Sequence, residues 1–482
     1  MSKTKTIVII GAGASGLAAG IYLSKKGFNV KVFEANEKVG GCCANTVSNG
    51  YIFNDGALYL AFPGIFNHVF EELGLDRASL IPMKKITANM KSTLPDGTIV
   101  TLGDGLEISI ENCPRKIDMD KVNKEFKKFM DKWNPVLRLF SDDILINPFS
   151  MLHMLAKGWK HLSKFKGTIA QEMYRSFSDE AVRSAIAGIM LYAWVPPMKA
   201  PVSLILGPVA MISEGFHLPE GGMGRITEVL AEILKKSGAE INLKSPVEKI
   251  LVKNASVNGV QVKGFGHVQA DAVISTASGM LTYSELVEPE FVPPDMKKKV
   301  DTAPLSQKAL NLQLGLSNKI DTKSHSNKVI PAMEEQDKAF LPDENKMHSV
   351  IYSVPTVTMP ELAPQGKSII EMFPPIKQDI PFEKWDEEKE RVAEVAIREL
   401  KNLHNIEVAV KRIRSPKDFT EQMHLYRGAI YGISPAADPK AQFPHKSPIK
   451  GLFHAGQSTF PGFGTGLAAM SGIFAAKALI KS

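Results

Sequence analysis

Three widely separated stretches of the chain share one rhythm of apolar and polar positions. In the first, Thr6-Ile7-Val8-Ile9-Ile10, with an apolar run from Ile7 to Ile10, reads as a strand. A glycine turn comes next, then a helix through Leu17, Ile21 and Leu23 that stops at Gly27, and then the strand Asn29-Val30-Lys31-Val32-Phe33-Glu34. Strand, helix and strand in so short a span predict a parallel crossover. The second stretch runs from about Glu214 to Ser278, with an amphipathic helix over Ile226 to Lys236 ended by Gly238 and strand-like runs at 247–252 and 271–275. The third is C-terminal: 451–456 reads as strand into turn, and 466–481 as a helix of small residues.

Between these stretches, 86–212 and 282–417 are richer in Lys, Pro and Met and lack that regularity. The pattern predicts an α/β domain assembled from 1–85, 213–281 and 418–482, with an α+β domain inserted in two parts, 86–212 and 282–417. A chain of 482 residues exceeds one compact core and has room to bury a large ligand. No internal repeat or low-complexity tract interrupts it.

The glycine turn carries the first chemistry. Gly11, Gly13 and Gly16 satisfy G-x-G-x-x-G between a strand and a helix. Gly11 permits the tight turn, Gly13 lets backbone approach a pyrophosphate, and Gly16 lets helix and strand pack closely. The free N–H groups and positive dipole end of the helix then favour an anion. Glu34 closes the second strand, where a carboxylate accepts from both ribose hydroxyls and repels a 2′-phosphate, so a dinucleotide other than NADP is expected.

Motifs beyond Glu34 narrow the dinucleotide. Gly40-Gly41, then Gly50-Tyr51-Ile52-Phe53-Asn54-Asp55-Gly56, and the C-terminal run from His454-Ala455-Gly456-Gln457 through Ser458-Thr459-Phe460-Pro461-Gly462-Phe463-Gly464 resemble the flavin-dependent amine oxidase superfamily. Within it they are similar to the phytoene desaturase, carotenoid isomerase and retinol saturase group. Gly215-Phe216-His217-Leu218-Pro219-Glu220-Gly221-Gly222, Leu362-Ala363-Pro364-Gln365-Gly366 and Arg427-Gly428-Ala429-Ile430-Tyr431-Gly432 extend the resemblance over nearly the whole chain, in order. It implies a Rossmann-like FAD-binding domain of parallel sheet plus β-meander, and FAD as cofactor. The residues it implies for the FAD are Gly11, Gly13, Ala14, Ser15, Gly16, Glu34, Ala35, Gly40, Gly41, Cys42, Val247, Gly456, Gln457, Gly464, Thr465 and Gly466. Two departures stand out: Cys42 comes after the double glycine where the desaturases usually have Arg, and Gln457 replaces the family's common acid. Cys42 and the Ser458 to Gly462 segment look more like the isomerase and saturase branch.

Because a flavin carries the redox chemistry itself, catalytic side chains leave little trace in sequence. The resemblance places Glu214, His217 and Tyr431 near the flavin or substrate cavity, as candidates for a proton donor or acceptor. His454 reads as a buried structural histidine sooner than a flavin contact, and the adjacent Cys42 and Cys43 as packing residues sooner than a redox pair. No metal site is expected, since His and Cys do not cluster at ligand spacing. The absence of Gly-x-Ser-x-Gly and Gly-Lys-Ser/Thr turns argues against hydrolase and NTPase chemistry.

Hydrophobic residues make up 44% and charged residues 23% of the chain, and no apolar run reaches the roughly 18 residues of a membrane span. Three cysteines and the lack of a signal segment predict a cytoplasmic protein. The net charge of +7 favours anionic partners, but no nucleic-acid-binding pattern accompanies it. From 144 to 171 there is no acidic residue, while Phe149, Leu152, Leu155, Trp159 and Leu162 recur at helical spacing. Such a helix is expected to lie on the inner face of an anionic membrane. The expected function is FAD-dependent oxidoreduction at double bonds of a long apolar, isoprenoid or carotenoid-like substrate. Redox-neutral isomerisation or saturation is the near alternative. Amine oxidation needs an aromatic cage for a cationic nitrogen and lacks a Trp or Tyr pair flanking the C-terminal motif, and a cofactor-free lipid-binding escort is at odds with the intact turn and Glu34.

Overall fold

The apolar runs assemble as a single parallel sheet. Strand β1 (Thr6–Ile10) is central, with β2 (Asn29–Phe33) on one side and β3 (Glu240–Asn242) beyond it; β4 (Ala272–Ser275) and then β5 (Leu452–His454) lie on the other. Register runs from Thr6 opposite Asn29 to Ile10 opposite Phe33, and from Ile7 opposite Ala272 to Ile10 opposite Ser275. Ile7, Val8 and Ile9 are 0% exposed, as a strand covered on both faces requires. The computed structural model describes residues 4–86, 90–103, 107–341, 343 and 345–482.

Helix α1 (Ala14–Lys25) packs between α2 (Gly224–Lys236) and α3 (Thr465–Ile480). Small residues allow the approach: a Cβ on Gly472 of α3 would stand 2.0 Å from the Ser15 carbonyl oxygen of α1, and one on Gly20 would meet Leu234 of α2 at 2.9 Å. An antiparallel meander, Val247–Lys253, Ser256–Val262 and Gly266–Val268, completes this layer. The α/β fold of parallel sheet plus meander is therefore as expected.

A second, mixed sheet of eight strands runs Val408–Arg414, Asn311–Leu316, Ser368–Met372, Val350–Ser353, Ser326–Val329, Met90–Thr93, Ile99–Leu102, Ile108–Glu111. One face is covered by the helix Trp385–Leu403, whose Trp385, Ala396 and Leu400 pack on Leu312, Leu314 and Ile370. The other face looks towards the first sheet.

Residues 144–171 do not form one helix. A helix Met151–Gly158 passes into 3₁₀ turns over Trp159–Phe165, and a new helix, Ile169–Ser176, starts after a break. Three local signals explain this. Pro148 disfavours helix at Asn147, Ser150 caps the first helix by accepting from the His153 N–H, and Gly167 sits at φ +96° before the Thr168/Gln171 capping box. The apolar residues nevertheless face outward, with Leu152 81% and Trp159 62% exposed.

Candidate functional site

A cavity of about 1170 Å³ lies between the two sheets. This exceeds the roughly 300–1,000 Å³ of pockets for drug-sized ligands. Fifteen of the sixteen predicted cofactor residues line it; the exception is Gly16. A Cβ on Gly16 would stand 2.1 Å from the Gly11 carbonyl oxygen, so Gly16 closes the helix onto the turn from behind.

The floor of the cavity is built from backbone. Gly11, at φ +97°, donates its N–H to the Phe33 carbonyl, which brings the turn across the end of β2, and a Cβ there would lie 2.4 Å from Thr276 Oγ1. The Gly40 N–H reaches the Ala12 carbonyl, bringing the double glycine beside the turn. Glu34 is buried, its Oε2 accepting from the Ala12 N–H at 2.7 Å and its Oε1 from the Asn36 N–H at 2.9 Å. The helices α1 and α3 both begin here, at Gly13 and Gly464. Neither has a side-chain cap or an acid in its first turn. Two uncapped helix starts with positive dipole ends, and no acid in either first turn, suit the diphosphate and electron-rich ring of a dinucleotide. Val247, at the start of the meander, and Gln457 complete this half.

Behind the floor, Asn54 and Asp55 tie the turn to the mixed sheet. Glu371 accepts from the Asn54 N–H and Nδ2, and Gln313 Nε2 donates to the Asn54 carbonyl. Asp55 is held by Arg414 at 2.8 Å and Lys38 at 3.1 Å. Burial alone would raise its pKa, but Arg414 and Lys38 outweigh that and hold it below the usual range. Glu371 has weaker help, and burial pushes it up to about 7.

The remaining wall is apolar and aromatic. Tyr59 packs against Tyr192 and Phe216, Trp194 against Phe340, and Tyr431 against Phe463 with centroids 4.4 Å apart. Of this wall, sequence reasoning singled out only Tyr431 as a candidate; its partner Phe463 belongs to the C-terminal motif. The Tyr431 hydroxyl donates to the Tyr192 carbonyl at 2.6 Å, and burial raises its pKa, so its proton is already engaged.

The other proton donor or acceptor candidates lie elsewhere. Glu214 comes directly after the helix Leu206–Ser213, outside the cavity lining, with its pKa raised by burial and by Asp142. His217 lies outside the lining too, on a strand paired with Met83–Ile86. His454 is fully buried, bonded to the Tyr283 hydroxyl at 2.9 Å and pushed down to about 3 by burial, which fits a structural histidine. Burial, and for Cys42 also its neighbour, push the Cys42 and Cys43 thiols up to about 12 and about 11, so thiolate chemistry is suppressed in both. Among the described residues there is no group of three or more potential metal ligands.

A parallel sheet with a glycine turn after β1, an acid just after β2 and a second sheet across a large cavity defines a dinucleotide-binding protein. The chain belongs to the flavin containing amine oxidoreductase family, whose signature spans residues 14–480, and its cofactor is FAD. It is 25% identical to a zeta-carotene-forming phytoene desaturase of Myxococcus xanthus, over 96% of this chain and 91% of that protein. It is 23% identical to a 4,4'-diapophytoene desaturase of Methylomonas sp, over 96% and 93%. Among solved structures, an oxidoreductase from Methanosarcina mazei superposes with a TM-score of 0.64 at 18% identity, covering 99% of this chain and 100% of that one. The protein is thus an FAD-dependent oxidoreductase related to carotenoid desaturases.

Proposed function

We propose that the protein introduces double bonds into a long apolar chain of isoprenoid or carotenoid type. The carrying observation is that one cavity joins the glycine-lined floor to a deep aromatic and aliphatic wall. In this reading, the turn from Gly11 to Ser15 and Gly40-Gly41 bind the diphosphate, Glu34 the ribose, Val247 the adenine side, and Gly456-Gln457 with Gly464 to Gly466 the flavin end. Bound FAD supplies a two-electron hydride acceptor, so that loss of a hydride and a neighbouring proton leaves a new C=C bond. The wall residues Tyr59, Trp194, Phe340 and Phe463 align the chain and exclude water. Stoichiometric bleaching of the flavin by a polyene substrate without oxygen supports desaturation. Turnover without net bleaching supports isomerisation instead.

The exposed apolar segment gives the substrate a route. Ser203 and Leu204 line the cavity, and the adjacent Val202 donates its N–H to the Gly167 carbonyl, at the end of the outward-facing run that holds Leu152 and Trp159. We infer that this face rests on an anionic bilayer and that substrate enters beside it. Co-sedimentation with vesicles containing anionic lipid, lost in Leu152→Asp/Trp159→Asp, is expected; no sedimentation of the unaltered protein at low salt refutes it.

A further inference from the structure

The cavity wall opposite the glycine turn is the open face of the eight-stranded sheet. Ser349, Ile351 and Ser353 alternate onto that face and line the cavity. Cross-strand pairing fixes their neighbours: Ser326 stands opposite Ser353, and Lys328 opposite Ile351, with Ser92 beside Lys328 on the far side. Paired residues share a face, so Lys328 and Ser326 lie on the same face of the sheet as the cavity-lining Ile351 and Ser353, at a point where the helix Glu180–Ala187 covers it. A purely hydrocarbon ligand gives no reason for an ammonium there.

Lys328 is 1% exposed. Its Nζ reaches the Ala185 carbonyl at 3.5 Å and lies 5.8 Å from the centroid of the Tyr192 ring, itself part of the cavity wall. Among the described residues no carboxylate compensates it, and burial alone pushes its pKa down to about 7. Around it, Ser92 Oγ, Ser326 Oγ and the Tyr192 hydroxyl are shut off from bulk solvent and make no hydrogen bond of sound geometry. Burial pushes the Tyr192 phenol up to about 12, and Ser326 stands close enough to oppose that rise, so these two hydroxyls are neighbours. Holding the Ala185 carbonyl near the end of the helix Glu180–Ala187 uses one of the three ammonium donors and leaves the hydroxyls unexplained. Of these groups only Tyr192 lines the cavity; Lys328, Ser326 and Ser92 lie directly behind it, and buried polar groups gathered behind one wall of a cavity mark a place for a polar ligand group. The nearest acid along this face, Glu371, pairs in register with Ser353 but is engaged by Asn54.

We propose that this end of the cavity is an end-group site, in which Lys328 with the Tyr192 and Ser326 hydroxyls receives the carboxylate that terminates a long apolar substrate. The proposal rests on the reading that the cavity takes a long apolar chain, and it narrows the substrate from a hydrocarbon to an amphiphile. The Tyr192 ring stands between the ammonium and the cavity, so its rotamer decides whether the carboxylate meets Lys328 directly or through the phenol.

The test uses the FAD-loaded protein and two probes, retinoic acid and the same polyene ending in a methyl group, with binding read by quenching of tryptophan fluorescence. Unaltered protein is expected to bind the carboxylate about tenfold more tightly or better, as one charge-assisted hydrogen bond provides. Lys328→Met is expected to abolish that preference while hydrocarbon affinity stays the same. Tyr192→Phe/Ser326→Ala, which retains the ammonium, is expected to reduce it in part. Equal affinity of the unaltered protein for the two probes, or a preference that survives in Lys328→Met, overturns the end-group site alone. Failure of both probes to bind overturns the apolar-chain reading beneath it.

Discussion

Glu34 offers the most direct test of the cofactor floor. Its two carboxylate oxygens accept from separate backbone donors, Ala12 N–H at 2.7 Å and Asn36 N–H at 2.9 Å, in a side chain only 6% exposed. Glu34→Ala strands both amides; at about 1–3 kcal/mol for each buried unsatisfied donor, the free protein is expected to lose about 2–6 kcal/mol. Glu34→Gln keeps one acceptor but turns the other oxygen into an NH₂ that faces an N–H, so about half of that loss is expected. The proposed ribose contact adds to this on binding. Hydrogen bonds to a charged group contribute about 1.5–3 kcal/mol each, and about 1.4 kcal/mol is tenfold in affinity. Glu34→Gln should therefore weaken FAD binding roughly 10- to 100-fold, and Glu34→Ala further. Fluorescence titration of the apoprotein with FAD measures affinity, and thermal unfolding of the same apoprotein measures the stability effect separately. If Glu34→Ala apoprotein is destabilised yet binds FAD like the unaltered protein, the carboxylate is a turn brace only and the ribose assignment is wrong.

Packing and burial give three further expectations. Gly472→Ala drives a methyl to 2.0 Å from a backbone oxygen of α1 and should cost about 1–3 kcal/mol with faster FAD loss, whereas Gly64→Ala, with nothing within 4 Å, should be neutral or slightly stabilising in a melting assay. Iodoacetamide at about pH 8 should label Cys113 well before the buried Cys43, whose thiol burial holds up at about 11; peptide mass spectrometry reads the order, and equal rates would contradict the buried placement. Glu371 has its folded pKa raised from 4.5 to about 7, so the folded state holds this proton more tightly than the unfolded one. That contribution favours folding below about pH 4.5 and is lost as pH rises through about 7. Melting temperature should therefore fall between about pH 5 and about pH 8 with a slope that Glu371→Gln flattens, and an unchanged slope in the variant would assign the dependence to other groups.

The two halves of the cavity differ in how far sequence discloses them, and the difference is physical. The floor is made of backbone conformation, and backbone demands are written locally. A turn at φ +97° needs Gly11, and a helix closing on that turn needs Gly16, both within a few residues of the strand that precedes them. Glu34 is legible for the same reason, because the crossover brings it back beside β1. The wall is made of side chains whose meaning depends on pairing across the chain. Tyr59, Tyr192, Trp194, Phe340 and Phe463 come from four regions and meet only after both sheets form. Lys328 sits in the short strand Ser326–Val329, and nothing local distinguishes it from a surface lysine until register sets it opposite Ile351. His217 errs in the opposite direction: its motif adjoins the site, but pairing with Met83–Ile86 keeps it out of the cavity lining. The periodicity of residues 144–171 is legible as an outward apolar face, yet Pro148 and Gly167 set the helix breaks whatever the spacing of the leucines. Cofactor identity is therefore readable from glycines and one acid. Substrate identity rests on side chains that only strand register brings together, and in the proposed end-group site Lys328 is the residue that separates a hydrocarbon substrate from an amphiphilic one.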